Sequence, residues 1–155
     1  MIFDTHAHYM DERFVEDREA LLASLRDAGV GNVVEVGASI QSTKDAVALS
    51  RKHDFVYSAV GVHPDGVPEM TDETIEWLKG LTGEPKVVAI GEIGLDYYYD
   101  EPDRELQKKW FICQLEAAKE TKMPVIIHSR DAAQDTLQIM DEHCDWSQGG
   151  VIHCF

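Results

Sequence analysis

Ile2-Phe3-Asp4-Thr5-His6-Ala7-His8, at the start of the chain, reads as a short strand that ends in His-x-His. Side chains alternate between faces along a strand, so Asp4, His6 and His8 share one face. Two imidazoles so spaced reach one metal ion, or adjacent positions on a metal pair. The plain alternative is two histidines that happen to lie near a terminus. Recurrence weighs against it, because the same grammar, an apolar run ending in a ligand-type residue, returns down the chain.

Six apolar, β-rich runs are present: Met1–Thr5, Val33–Val36, Phe55–Val62, Val87–Ile90, Val125–Ile127 and Val151–Ile152. Several are continuous rather than alternating, as expected for strands buried on both faces of a parallel sheet. Each interval between them has room for a helix. Glu16–Ala28 places Ala20, Leu21, Leu25 and Ala28 on one stripe, with Gly29 as its C-terminal cap. Ser42–His53 carries Ala46, Val47, Leu49 and Ser50. Thr71 caps a helix through Leu81, and Asp103–Thr121 has Leu106, Trp110, Cys113 and Ala117 at helical spacing. Asp131–Glu142 directs Leu137 and Met140 inward. Alternating strand and helix mean an α/β protein with a parallel sheet, one domain over residues 1–155 without a linker.

The chemistry lies at the strand ends. The first strand ends in His6-Ala7-His8, the third in Gly61-Val62-His63-Pro64, and the fourth in Gly91-Glu92-Ile93-Gly94-Leu95-Asp96. The fifth ends in His128-Ser129-Arg130 and the sixth in His153-Cys154-Phe155. Five of the seven histidines therefore fall at strand C-termini, where parallel α/β sheets and barrels gather their ligand site. His53 and His143 fall in helix tails, where a solvated cation is the ordinary reading. Glu92, at the end of an apolar strand, must be paired or bound to metal. A salt bridge to a Lys or Arg is its alternative to bridging two cations. Gly91 and Gly94 allow close approach of backbone and ligand. Mixed nitrogen and oxygen ligation suits zinc, manganese or magnesium.

Three further groups carry two readings each. His63, held extended by Pro64, projects toward substrate or only caps a strand. Arg130 is a phosphate clamp or a partner of Asp131 or Asp135. Tyr97-Tyr98-Tyr99 stacks on bases or packs on a neighbouring helix, and packing is the expectation. Cys154 is expected to be a packed small residue rather than a nucleophile.

Composition bounds the partners. The 155 residues are 44% hydrophobic, enough for a core, and no apolar run reaches membrane-spanning length. The first residues lack the pattern of a secretory signal. Cys113, Cys144 and Cys154 form no CxxC pair, which argues against a Cys-type zinc site and fits a reducing cytoplasm. A net charge of −15 argues against a broad basic surface for duplex nucleic acid, yet recessed divalent cations still attract phosphate locally.

With Phe3-Asp4-Thr5-His6-Ala7-His8, Gly61-Val62-His63-Pro64, Gly91-Glu92-Ile93-Gly94-Leu95-Asp96-Tyr97, Ile127-His128-Ser129-Arg130 and His153-Cys154-Phe155 assembled, the whole chain resembles the TatD family of metal-dependent hydrolases, in the amidohydrolase superfamily. The resemblance implies a TIM-type (β/α)8 barrel, of which this chain supplies about six βα units, and a pair of divalent metal ions. It implies that His6 and His8 bind one metal and His128 and His153 the other, with Glu92 bridging, while His63 touches the substrate phosphate. It further implies a deoxyribonuclease or phosphodiesterase acting on single-stranded DNA or another phosphodiester. Action on an ester or amide such as D-aminoacyl-tRNA is the alternative; related amide-hydrolysing enzymes often carry a bridging Lys where this chain has Glu92, which favours phosphodiesters. The family pattern has two more βα units and a metal-ligating Asp after the seventh strand, whereas this chain stops at Phe155. The expectation is a fragment or a chain completed by a second one, with reduced or no activity on its own.

Overall fold

A computed structural model describes residues 1–154; Phe155, which closes the last of these motifs, lies outside the described residues. Six strands, β1 (Ile2–Ala7), β2 (Val30–Val36), β3 (Val56–Val60), β4 (Val87–Asp96), β5 (Val125–Arg130) and β6 (Gly150–His153), form one sheet in sequence order. Every neighbouring pair is parallel. Helices α1 (Arg18–Asp27), α2 (Ile40–Lys52), α3 (Asp72–Leu81), α4 (Arg104–Thr121) and α5 (Ala133–His143) fill the crossovers. The sheet curls: the His6 and His153 rings, on its first and last strands, stack with centroids 4.0 Å apart. This is a partial TIM barrel, with the C-terminal ends of its strands gathered at one mouth.

Continuous apolar runs serve both faces of the curl. Outside, Ile90, Ile93, Leu78, Phe111, Leu115 and Ile127 share one buried cluster under α3, α4 and α5. Leu22, Leu25, Val33, Leu49 and Val56 form another under α1 and α2. Val34, Val36, Ala59, Ala89 and Ile126 make a third, from strands alone. Below it lies an open apolar cavity of about 220 Å³, lined by Phe3, Tyr57, Val88 and Val151 among others. Ile2 and Phe3 on β1 and Val151 and Ile152 on β6 are exposed at the two sheet edges.

The helices start where the caps are. Ser39 accepts from the Ser42 N–H ahead of α2, so that helix begins before the expected Ser42. Asp103 accepts from the N–H groups of Glu105 and Leu106 ahead of α4. Two expected stripes are corrected. On α1 the buried residues are Leu22 and Leu25, while Ala20 and Ala28 are exposed, because the helix is rotated to set Leu22 against Val33 and Leu49. On α5, Leu137 is 48% exposed and Thr136, Ile139 and Met140 face inward. The Thr136 hydroxyl shares a 3.0 Å hydrogen bond with Ser129 on β5, which turns that face of the helix to the sheet. His53, at the end of α2, is half-buried rather than solvated: its ring packs against Phe55 and its Nε2 lies 3.5 Å from Glu19. Among the described residues no helix is long and apolar enough to cross a membrane.

One charge sits inside the apolar strand Val33-Val34-Glu35-Val36. Glu35 is fully buried; its Oε1 accepts from the Met10 N–H at 2.7 Å, and among the described residues its Oε2 has no hydrogen-bond partner. Burial pushes its carboxyl up to about 7 from an ordinary 4.5. For an acid so shifted, ionisation opposes folding: the penalty is absent below pH 4.5, grows between 4.5 and 7, and is complete above. It amounts to roughly 3 kcal/mol. Glu35→Gln keeps the acceptor for Met10 and removes the charge. Thermal unfolding followed from pH 5 to 8 is expected to show the variant more stable at pH 8, with a flatter decline than the parent; parallel curves would remove Glu35 from the account.

Candidate metal centre

Five histidines and two carboxylates meet at the mouth of the curl, each placed by a strand end. His6 is the penultimate residue of β1, and His8 comes just after the strand with its Nδ1–H donating to the Val36 carbonyl at 2.9 Å. That bond fixes the tautomer and leaves Nε2 as a free lone pair. The loop beyond His8 is clamped from two sides. Arg18 donates to the carbonyls of Tyr9, Met10 and Asp11, and Glu35 holds the Met10 N–H. A concavity of about 860 Å³ opens beside His8 between this loop and α2. His63 caps the 3-10 turn Pro64–Glu69, and its Nδ1 accepts from the Asp65 N–H at 3.2 Å, so its neutral ring presents Nε2–H as a donor. Buried Gln114 on α4 clips the N–H and carbonyl of Val62, the residue before it, at 2.8 and 3.0 Å.

Glu92 is the hub. The strand carrying it runs six residues beyond the expected Ile90, so the carboxylate stands within β4 and is 4% exposed. Its N–H donates across the curl to Gly37. Oε2 lies 3.4 Å from His6 Nε2 and 3.7 Å from His8 Nε2. Oε1 lies 2.9 Å from His128 Nδ1 and 3.7 Å from His153 Nε2. The two oxygens thus divide the histidines into two pairs. Among the described residues no Lys or Arg pairs with Glu92, so the salt-bridge alternative is not realised. Gly94 is needed for this packing: at φ +144° it faces the His128 backbone, where a Cβ would collide with the carbonyl. The closeness it allows is between strands.

Asp96 belongs to the Glu92 motif, and the sequence pattern gave it no role. Its Oδ2 lies 2.9 Å from His128 Nε2, so His128 is held between two carboxylates. The signal was present, since Glu92 and Asp96 are four apart in one strand and alternation turns them to one face. The His153 ring lies on His6 and 6.0 Å from His128, while the T-shaped His63–His128 pair is closer, at 4.2 Å. Ligand-distance groups form from His6, His8 and Glu92 and from His63, Glu92 and His128. Arg130, opposite Asp96 in the β4–β5 ladder, lies over the Tyr98 ring at 3.6 Å and makes no ion pair with Asp131 or Asp135. Asp135 is bound instead by Lys108 at 2.8 Å and by the Tyr97 hydroxyl at 2.8 Å.

Crowding sets the charge states. Burial alone would raise the Glu92 carboxyl, but hydrogen bonds to His128 and His6 and the field of His63 hold it far below the usual range. Burial lowers the His128 ring, and its bonds to Glu92 and Asp96 outweigh that, leaving it raised. Burial, then a neighbouring imidazole, lowers His8, His63 and His153. An anionic oxygen beside imidazoles whose protonation is disfavoured, as at His8, His63 and His153, is the donor set a borderline divalent cation prefers. The two facing Nε2 atoms of His6 and His8, 3.1 Å apart, and the unpartnered buried Nδ1 of His6 fit the same conclusion.

A curled parallel sheet with histidines and carboxylates at its C-terminal mouth defines the class of β/α-barrel proteins with a candidate divalent-metal centre. The sequence model of the family described as "TatD related DNase" matches residues 3–155, and the chain belongs to that family. It is 40% identical over 155 residues to the "Uncharacterized metal-dependent hydrolase YabD" of Bacillus subtilis, covering all of this chain and 61% of that one. It is 33% identical over 154 residues to the "3'-5' ssDNA/RNA exonuclease TatD" of Escherichia coli, covering 99% and 59%. The structure of YJJV, a TatD homolog from Escherichia coli, superposes with a TM-score of 0.91 at 34% identity, over 99% of this chain and 60% of that one. The chain spans about 60% of the length of the curated relatives it matches.

Replacing Asp96 by Asn tests its hold on His128. The His128 pKa, followed by NMR titration of its ring resonances, is expected to fall, because the second carboxylate that favours the imidazolium is gone. An unchanged value would show that Glu92 alone sets it.

Proposed function

We propose that this chain carries the metal-binding part of a phosphodiesterase that hydrolyses single-stranded nucleic acid. The observation that supports it most is the division of histidines by the two Glu92 oxygens, His6 and His8 on one side, His128 and His153 on the other. In this reading Glu92 bridges two divalent cations, drawn from zinc, manganese or magnesium, and each histidine pair completes the hold on one. When bound, such cations polarise a phosphodiester and lower the pKa of water. Glu92 supplies the charge that retains them, and its burial keeps that charge focused. His8, oriented by the Val36 carbonyl, keeps its lone pair toward the centre. His63 donates its Nε2–H to a phosphate oxygen, and the guanidinium of Arg130, without a carboxylate partner among the described residues, clamps another. The names of relatives, an exonuclease acting on single-stranded DNA and RNA among them, support this substrate class over an ester or amide such as D-aminoacyl-tRNA.

The apolar edges of β1 and β6 favour a further element of the reading, that a second chain pairs with them and completes the barrel. The continuous six-stranded sheet supports treating residues 1–155 as one domain unit. Unpaired Cys113, Cys144 and Cys154 support a cytoplasmic setting.

Elemental analysis of the purified chain, with hydrolysis of a short single-stranded oligonucleotide in manganese or magnesium, tests the proposal. About two cations per chain and cation-dependent cleavage are expected. Glu92→Ala is expected to lose bound metal and at least about 100-fold in turnover, since even outer-shell changes at metal sites cost 10- to 100-fold. Unchanged metal content and turnover in that variant would overturn the bridging role. Absence of metal and turnover in the parent would leave a catalytically incompetent barrel fragment. Light scattering is expected to show self-association that charged substitutions such as Phe3→Lys abolish, if the open edges pair with another chain.

A further inference from the structure

The loop after β4 holds two aromatic rings that the metal centre does not use. We propose that Tyr98 and Tyr99 form a base-stacking subsite for single-stranded nucleic acid at the rim of that centre; this rests on the nucleic-acid reading of the centre itself. The packing expected of the three tyrosines holds for Tyr97 alone. Its hydroxyl donates to Asp135, and the Arg104 guanidinium covers its ring at 4.3 Å. Tyr98 and Tyr99 are instead 56% and 57% exposed, and among the described residues neither hydroxyl has a hydrogen-bond partner. Their rings meet edge to face, at 90° with centroids 4.8 Å apart, and form an aromatic corner open to solvent. Burial has not been the use of these rings, and exposed aromatic surface beside a polar site marks a ligand contact.

The corner is built into the centre's own framework. Asp96 binds His128 Nε2 through Oδ2 and the Tyr98 N–H through Oδ1, at 2.9 and 3.0 Å, so one carboxyl joins the loop to the hub of histidines. Fully buried Gln107 on α4 fastens the base of the same loop, exchanging two hydrogen bonds with the Asp96 backbone and donating a third to Pro102. Arg130 backs the corner, its guanidinium carbon 3.6 Å from the Tyr98 centroid and 5.7 Å from that of Tyr99. A guanidinium layered on one ring still has edge N–H groups for a phosphate. Base, ring and phosphate contact therefore fall within one strand's reach of each other.

Charge decides which part of a nucleic acid this corner reads. The chain carries −15 overall, and Asp100, Glu101 and Asp103 come directly after the tyrosines, so a phosphate-tracking surface is absent here. Stacking needs no net positive charge and tolerates every base. It needs bases free of their own neighbours, which a duplex does not offer. The subsite thus selects flexible single strands.

The test measures binding of a short dye-labelled oligothymidylate and of an abasic strand of the same length. Fluorescence anisotropy, in EDTA and again with calcium, compares the parent chain, Tyr98→Ala/Tyr99→Ala and Tyr98→Phe/Tyr99→Phe, each shown to be folded by circular dichroism. The parent is expected to prefer the base-bearing strand. The alanine variant is expected to lose about tenfold or more of that affinity with abasic binding unchanged, and the phenylalanine variant to retain it. Parental affinity in the alanine variant would overturn the subsite while leaving the nucleic-acid reading intact. Equal losses on both strands would overturn it in favour of a structural role. No binding of either strand by the parent would overturn both readings.

Discussion

A charged carboxylate buried at the centre of six strands is the constraint that the rest of this molecule answers to. Glu92 is almost wholly out of water, and an ionised group there is tolerable only when surrounded by partners. None of those partners comes from its own strand: the imidazoles around it belong to β1, β5, β6 and the loops after β1 and β3. Satisfying one carboxylate therefore requires the sheet to curl until its first and last strands face each other. The curvature of the fold and the assembly of the site are one problem with one solution, which is why a sheet with both edges open still brings His6 onto His153.

Behind the histidines stands a second tier of polar residues that touch backbone rather than one another. Gln107 and Gln114 hold the segments before the tyrosine loop and before His63. Arg18 and Glu35 hold the loop after His8. Each takes up peptide groups that would otherwise sit unpaired beside a buried site, a costly arrangement. Loops fixed in this way keep the ligand-type side chains in register with the strand ends, so the centre is preorganised by its surroundings. Glu35 shows the tension in that arrangement, since the same burial that makes it an effective clamp also disfavours its charge.

The fold was readable because its signal is repeated. Apolar runs that are continuous rather than alternating, each ending in His or Glu, describe a parallel sheet and its mouth together, and any one run was supported by the others. The same repetition made the ligand-type residues readable without an alignment. Helix faces were harder. A stripe of Ala20, Leu21, Leu25 and Ala28 is periodic, yet Leu22 takes the buried place because packing against Val33 and Leu49 rewards a larger side chain than alanine. Leu137 was misplaced because the hydroxyl pair Ser129–Thr136 fixes the rotation of α5, and apolar periodicity carries no information on hydroxyls. The clamps were invisible for a related reason. Glutamine at positions 107 and 114 of a helix reads as ordinary surface, and only burial against a loop reveals its use. Glu35 alone carried a warning, a charge enclosed by valines. Asp96 was hidden by ending the fourth strand too soon.

Gln107 and Gln114 stand seven residues apart on α4, two turns of helix and roughly 10 Å along its axis. They are the two teeth of a gauge: one engages the chain after β3, the other the chain after β4. Substitutions elsewhere on the outer face of α4 leave the gauge unaltered, and so that surface is free to drift. A single residue inserted between the teeth is another matter, for it turns one of them through about 100° and disengages it. The spacing of α4 is thereby closed to insertions and deletions, even where its composition is open to change.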